Sequence, residues 1–371
     1  MKIVIFGLSV TSSWGNGHAT LLRGLFRALH KMGHEVHFFE RDTPYYASHR
    51  DLTSLPSATI HLYSDWARTL QDAKRELSDA EVGIVTSYCQ DGKEASELVL
   101  QSRLWRKAFY DMDTPVTLSQ LERGEAVPYL PLGGFAGFDI VLSYTGGLAL
   151  EKLRNVLHAK CAAALYGWVN PELYYRVPAS PTFTSNLSYL GTYAADRQQA
   201  LEDLFVKPAE TLEDSYFLIG GAMYPDTQLW PKNIRFIDHV SSADHRAFYS
   251  SSPLTLNITR GSMAAMGYCP SGRLFEAAAC GTAVVSDTWN GLDTFFAPGE
   301  EIMIVESTAE AIEAISSDSE RLARIGSRAK ERTLSCHTAE LRAQRLVGLL
   351  DQLPDESAAI SEPRELAAER A

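Results

Sequence analysis

Short, wholly apolar runs alternate along this chain with longer stretches whose apolar residues recur every three or four positions. KIVIFG (residues 2–7) is the first run, and TLLRGLFRALHKMG (20–33) is the first stretch at helical spacing. EVHFFERD (35–42) returns to the strand pattern, with Gly33 standing where a helix C-cap belongs. Further strands are expected at ATIHLY (58–63), VGIVTSY (82–88), RKAFYDM (106–112) and FDIVLSY (138–144), with helical patterns between most of them. Alternation of this kind predicts a doubly wound parallel sheet. AALYGWVNPELYY (163–175) reads as the exit from that unit. A second series follows, with strands expected at LSYLG (187–191), SYFLIGG (215–221), IRFIDHV (234–240), LTLNIT (254–259), TAVVSD (282–287) and EIMIV (301–305). From about Ala309 the pattern is helical, and HTAELRAQRLVGLLDQL (337–353) is an amphipathic helix before a polar, mixed-charge tail. The predicted division is 1–172, 173–335, a last helix at 336–352 and a disordered tail at 353–371.

Two α/β units facing each other leave a cleft between the carboxyl ends of both sheets, where ligands of such folds bind. Composition narrows the ligand. The chain has 371 residues, 45% of them hydrophobic, enough for two packed cores. A net charge of −12 argues against nucleic acid or an anionic membrane as partner. Five cysteines without a CxxC pair read as reduced thiols, which points to the cytoplasm and away from a disulfide frame or zinc finger. KIVIFGLSV is too short for a membrane span and reads as a first strand, so no integral membrane segment is expected there.

Candidate chemistry clusters after the strands of the second half. In GRLFEAAACG, Arg273 and Glu276 are three apart and share a helix face. An arginine there suits a phosphate, and a carboxylate suits the two hydroxyls of a ribose, since both its oxygens accept. TWNGLDTFF is expected to open another helix, offering the backbone N–H groups of Asn290, Gly291 and Leu292 to an anion, with Asp293 toward whatever the phosphates carry. Arg197 falls in the first turn after YLGTYA, Gly221 lets a backbone approach a ligand, His239 sits where a base could rest, and Arg260 ends the strand in NITR. Together these describe a nucleoside-diphosphate donor site without a metal cage.

The ordered set FERDTPYY, FYDMDTPVTL, SYTGG, YLGTYAADRQ, LNITR, GRLFEAAACG and GLDTFF resembles the CgeB-like (spore maturation protein) glycosyltransferases over about residues 1–350. The resemblance implies a GT-B fold: two Rossmann-like parallel-sheet domains, the donor nucleotide sugar held mainly by the second, the acceptor mainly by the first. It also implies a C-terminal helix that crosses back to the first domain. Glu276 matches the second, ribose-holding acid of the E-x7-E motif in related retaining transferases. The first acid's position holds Tyr268, which leaves the stereochemistry open.

In the first half, SSWGNGHATLL is a glycine-bearing loop entering a helix. Gly15 and Gly17 allow a ligand close, and His18 at the helix start is the natural general base, a place where many GT-B enzymes carry a histidine. Asp111 and Asp113 close a strand toward the same cleft, as alternative bases or as groups that orient His18 or a sugar hydroxyl. The D-x-D spacing suits a divalent ion, but the arginines already serve the leaving diphosphate, so no metal or other cofactor is expected. Tyr144 and Gly146 of SYTGG, with Trp14, are expected at the acceptor, and Trp14, Tyr45, Tyr46 and Tyr88 are candidates to stack on sugar faces. The expected activity is transfer of a hexosyl group from UDP or another nucleoside diphosphate to a small molecule, glycan or protein. A nucleotide-sugar epimerase on the same fold and a non-catalytic sugar or nucleotide binder remain the alternatives.

Overall fold

The structure is a computed structural model that describes residues 1–225 and 229–354; the tail expected to be disordered lies, from residue 355, outside the described residues. The apolar runs of the first half form β1 (Lys2–Gly7), β2 (Glu35–Arg41), β3 (Thr59–Tyr63), β4 (Val82–Thr86), β5 (Arg106–Asp111) and β6 (Ile140–Ser143), joined by β7 (Ala162–Ala164). They make one sheet in the order β3-β2-β1-β4-β5-β6-β7. Every pairing is parallel; Ile3 lies beside both Val36 and Val82. A parallel sheet must be covered on both faces, which is why its strands read as continuous apolar runs and not as alternation. One face packs under the helix Gly17–Lys31, around Leu22, Leu25, Phe26 and Leu29, and the other is built on Phe6, Phe39, Phe109, Phe135 and Phe138.

The second half repeats the plan with β8 (Leu187–Leu190), β9 (Phe217–Gly221), β10 (Ile234–Asp238), β11 (Leu254–Asn257), β12 (Ala283–Ser286) and β13 (Met303–Ile304), in the order β10-β9-β8-β11-β12-β13. Numbered within each unit, both sheets share the order 3-2-1-4-5-6, the first adding β7 at its edge, so both reverse direction at their first strand and present their ligand-binding crevice there. The segment expected as a helix at TWNGLDTFF is only a single tight turn, Leu292–Thr294. Gly291 precedes it with φ 89°, a left-handed residue that cannot begin an α-helix.

The last helices join the two units. Ser319–Cys336 packs on the second, and Ala339–Asp351 returns to the first, where Ala343, Leu346, Leu349 and Leu350 enter the core beneath helix Gly17–Lys31. Gly24 faces that helix, and a Cβ there would make ordinary contact with the Ala339 Cβ at 3.5 Å. The buried Arg106 holds the far end, donating through Nε to the Leu350 carbonyl at 2.9 Å and through Nη2 to that of Leu353 at 2.6 Å. Cationic donors at exposed helix carbonyls favour such a C-terminus. The crossing implied by the resemblance is therefore present.

Candidate active site

The loop after β1 is shaped by one carboxylate. Glu40, fully buried near the end of β2, accepts from Ser9 Oγ and the Val10 amide, both at 2.7 Å, and from the Thr11 amide at 3.1 Å and hydroxyl at 2.5 Å. Asn16 then closes the loop. Its amide group donates to the Ser9 and Ser12 carbonyls, and its Oδ1 accepts from the His18 amide at 3.2 Å, capping the helix. His18 is thereby fixed in the first turn of that helix, on the cleft.

Across from it, Asp113 stands just past β5 as the residue preceding helix Thr114–Glu122. Its Oδ2 lies 2.8 Å from His18 Nε2. An ionised carboxylate can only accept, so the pair keeps the proton on Nε2 and the lone pair on Nδ1. Nδ1 is buried and has no partner among the described residues. Leaving such a nitrogen unpaired costs about 1–3 kcal/mol, a cost characteristic of groups kept for use.

Asp111 is not at the cleft surface. It is wholly buried, its Oδ1 accepts from the Asp113 amide at 3.1 Å, and its Oδ2 has no partner. Burial pushes its carboxyl up to about 6. Same-face alternation fails here because the chain leaves β5 at Asp111 and turns before Asp113, so only one acid of the D-x-D reaches the cleft. The raised pKa carries a stability consequence. The folded state binds the proton more tightly, so the stabilisation is complete below about pH 4 and is lost as pH rises through 6. Asp111→Asn therefore gains stability over the natural chain at pH 8, by at most about 3 kcal/mol for a shift near two pH units. Urea unfolding at pH 5 and pH 8 checks this, and an equal difference at both would contradict it.

The opposite wall is cationic. Arg273, in the first turn of helix Gly272–Ala279, donates to the Leu190 carbonyl and, at 2.8 Å, to Asn257 Oδ1, with its guanidinium 5.3 Å from the Tyr189 ring centre. Arg197 donates one Nη2 bond to the Thr192 carbonyl, and its Nε is buried without a partner among the described residues. Burial, with Arg273 and Arg260 nearby, holds Arg197 below the usual guanidinium range. Among the described residues neither Arg197 nor Arg273 has a carboxylate at ion-pair distance, whereas Arg260 reaches Asp196 at 3.5 Å. Glu276 accepts from Tyr249 OH at 3.3 Å and faces His245 Nδ1 at 3.7 Å. Burial raises its carboxyl, but the hydrogen bond and charge of His245 outweigh that and hold it below the usual range.

One cleft of about 440 Å³ between the units is lined by Gly15, Gly17, His18, Asp113, Tyr144, Arg197, Gly221, His239, Arg260, Arg273 and Glu276 together. Several expected residues do not line it. Trp14 is held between the His49 ring at 4.3 Å and the His239 ring at 4.1 Å, and so joins the two units instead of offering a free face. Gly146 is closed off, since a Cβ there would fall 2.1 Å from Tyr166 OH, and its amide donates to the Tyr268 carbonyl. Asn290 accepts from the Tyr268 amide at 2.7 Å, Gly291 packs on the Tyr268 ring, Leu292 is buried and Asp293 is exposed. Tyr268 itself fills the seam against Gly147 and Gly291, so the position of the missing acid is a wedge between units. Gly221 lines the cleft, but its lack of a side chain is required by the Gly191 carbonyl, 2.0 Å from where a Cβ would be. Asn16, His245, Tyr249 and Ser271, which the sequence reading passed over, also line the cleft. Ser271 had a signal, because serine ahead of a helical run is an N-cap, and its Oγ accepts from the Arg273 amide.

Two facing 3-2-1-4-5-6 sheets, a cleft between their carboxyl ends and a last helix returning to the first unit define the GT-B fold. Solved structures agree. Sucrose-phosphate synthase from Thermosynechococcus elongatus superposes with a TM-score of 0.66 at 18% identity, over 97% of this chain and all of the other. Anabaena HepE in complex with UDP-glucose gives 0.66 at 14% identity, over 95% of this chain and all of HepE. An alpha-glucosyltransferase in complex with UDP-glucose and DNA containing an abasic site gives 0.64 at 13%, with the same coverage. Residues 197–348 match a family model described as glycosyl transferase-like, which spans most of the second unit and the closing helices. No curated protein matches the sequence. Among the described residues no helix is long and apolar enough to cross a membrane.

Proposed function

We propose that the chain is a glycosyltransferase of the CgeB-like kind, moving a hexosyl group from a nucleoside diphosphate, UDP in the first instance, to an acceptor hydroxyl. The observation that carries this reading is the pairing of two carboxylate-free arginines with the His18–Asp113 dyad across one cleft. Half-buried cations whose only acceptors are neutral call for an anion of the substrate, and a diphosphate supplies two adjacent ones. Glu276 takes the ribose hydroxyls. His18 Nδ1 receives the acceptor proton as the acceptor oxygen bonds to the anomeric carbon. The bond from that carbon to the β-phosphate oxygen breaks, and Arg197 and Arg273 stabilise the charge left on the diphosphate.

A histidine–aspartate pair on the cleft wall, and a tyrosine wedge where a donor-facing acid would stand, favour a single displacement with inversion. Asp111 lies beneath the surface and Asp113 is engaged by His18, so the reaction is read as independent of a divalent ion at the cleft, with turnover persisting in chelator. The sugar and the acceptor follow from the substrate screen; the acidic net charge favours a partner other than nucleic acid, and the cytoplasm is the proposed compartment.

Thermal shift against UDP, GDP, dTDP and their sugars tests the reading, because a ligand bound only by the folded state raises the melting point with its occupancy. A shift with one nucleotide series, and release of that diphosphate only with transfer or hydrolysis of the sugar, is expected; altered but uncleaved sugar nucleotide would indicate the epimerase. Glu276→Gln is expected to weaken the diphosphate about 10–100-fold, the worth of hydrogen bonds to a charged group. That loss should shrink for the 2′-deoxynucleotide, which already lacks one contact. Equal losses for both nucleotides would remove Glu276 from the ribose.

A further inference from the structure

A second constellation lies at the other end of the first sheet. His37 on β2, His61 on β3 and Glu76 on helix Trp66–Ser78 bring three ligand atoms within 4.8 Å of one another. None of them lines the cleft. His37 Nδ1 is 3.0 Å from His61 Nε2 and 3.2 Å from Glu76 Oε2. The other nitrogen of His37, Nε2, is 2.7 Å from Glu35 Oε1. A carboxylate accepts only, so the Nε2 proton goes to Glu35, and in the neutral ring Nδ1 is a bare lone pair. That lone pair then faces a carboxylate oxygen at 3.2 Å and the Nε2 of a second imidazole at 3.0 Å, so three ligand-type atoms converge. A divalent cation among them would relieve the repulsion between the lone pair and the carboxylate.

We propose that His37, His61 and Glu76 bind a divalent transition-metal ion of the zinc type, which ties β2, β3 and helix Trp66–Ser78 together. Two imidazoles and a carboxylate with a water in the fourth position are an ordinary tetrahedral set. Metal–ligand distances of about 2.0–2.2 Å correspond to tetrahedral edges of about 3.3–3.6 Å, so the 3.0 and 3.2 Å separations need to open only a few tenths of an ångström, and the third, within 4.8 Å, adjusts by side-chain rotation. Glu35 behind His37 is the carboxylate that fixes the ring and its tautomer in such sites. The His61 ring also stacks on Phe39 at 4.3 Å, so it is already oriented. The competing cations are Lys2, whose Nζ reaches Glu76 Oε2 at 2.9 Å and Asp79 Oδ1 at 2.6 Å, and Arg75, whose Nε and Nη2 reach Glu76 Oε1 at 3.4 Å. The ion displaces Lys2 from Glu76 toward Asp79, while Asp72 and Arg75 stay on the outer side of the helix, paired to each other at 2.7 Å.

The test uses the full, untagged chain, stripped with chelator and titrated with Zn2+ by calorimetry, and with Co2+ by visible absorption. One equivalent is expected to bind, with the intense ligand-field bands of four-coordinate cobalt and a higher melting point. His61→Gln should abolish the cobalt bands and weaken Zn2+ at least 100-fold. Glu35→Gln, which keeps all three ligands, should weaken it about 10–100-fold. Should His61→Gln fail to fold, Glu76→Gln, a near-isosteric change on the helix, reports the same loss. Absence of saturable binding, octahedral cobalt bands, or binding unchanged in these variants would overturn the proposal. Because none of these readouts involves UDP or turnover, they stand apart from the assignment of the cleft.

Discussion

His18→Ala is expected to lower turnover about 10²–10⁴-fold, the usual worth of a positioned general base, while leaving the affinity for UDP within a factor of two. The split follows from where His18 sits. It belongs to the first unit, on the helix that begins at Gly17, and none of its hydrogen bonds reaches the arginine wall of the second. Removing the imidazole takes away the proton acceptor without touching the diphosphate contacts, so kcat should fall and donor binding should not. Asp113→Asn gives an independent reading. An amide can donate to Nε2 and thereby move the ring proton to Nδ1, the wrong nitrogen for a base. That variant should approach the loss seen in His18→Ala, and the double variant should cost little more than either alone, because the two residues act as one unit. Steady-state kinetics with the donor found in the nucleotide screen, and proton NMR of the product's anomeric coupling, measure both parts. Full turnover in His18→Ala, or a product of retained configuration whose formation is indifferent to Asp113, would remove the base and the inverting displacement together.

The sequence made the two sheets legible because parallel strands, buried on both faces, are continuous apolar runs. β7 escaped because it consists of three alanines, which carry no β-branched or aromatic signal, and is placed only by pairing with β6. At the cleft, Arg273 and Glu276 were readable from helical spacing alone, one turn apart at a helix start. The dyad was not readable in that way. His18 and Asp113 are 95 residues apart, and only the 3-2-1-4-5 order of the sheet brings the ends of β1 and β5 to the same rim. Glu40 was invisible for the opposite reason. In HFFERD it looks like the polar end of a strand, yet it is fully buried and organises the loop that carries Asn16 and leads to His18. Asn290 to Asp293 misled because a glycine next to a polar residue after a strand resembles an anion-binding helix start. Here the glycine is needed for a left-handed turn against Tyr268. Local pattern thus reports elements and faces well, whereas residues whose role depends on a distant partner appear only when the chain is folded.

Arg197→Met should do two opposite things: raise the melting point of the unliganded chain and weaken UDP about 10²–10³-fold. The first follows from the cost of a half-buried guanidinium that, among the described residues, has one carbonyl partner, a buried Nε without one and two other arginines nearby. An apolar side chain of similar length removes both the desolvation and the repulsion. The second follows from what that charge is kept for. Two charge-assisted hydrogen bonds to a diphosphate are worth about 1.5–3 kcal/mol each, and each 1.4 kcal/mol is tenfold in affinity. Stability is given up in the empty cleft and recovered when the anion arrives, the usual relation between a strained site and its function. Arg197→Lys should recover part of the affinity as a point charge without the planar fork. Calorimetric titration with UDP and with uridine separates the contributions, since uridine has no phosphate and should bind the variant as it binds the natural chain. A variant that melts lower and still binds UDP normally would show that Arg197 braces the Thr192 loop and that the diphosphate lies elsewhere.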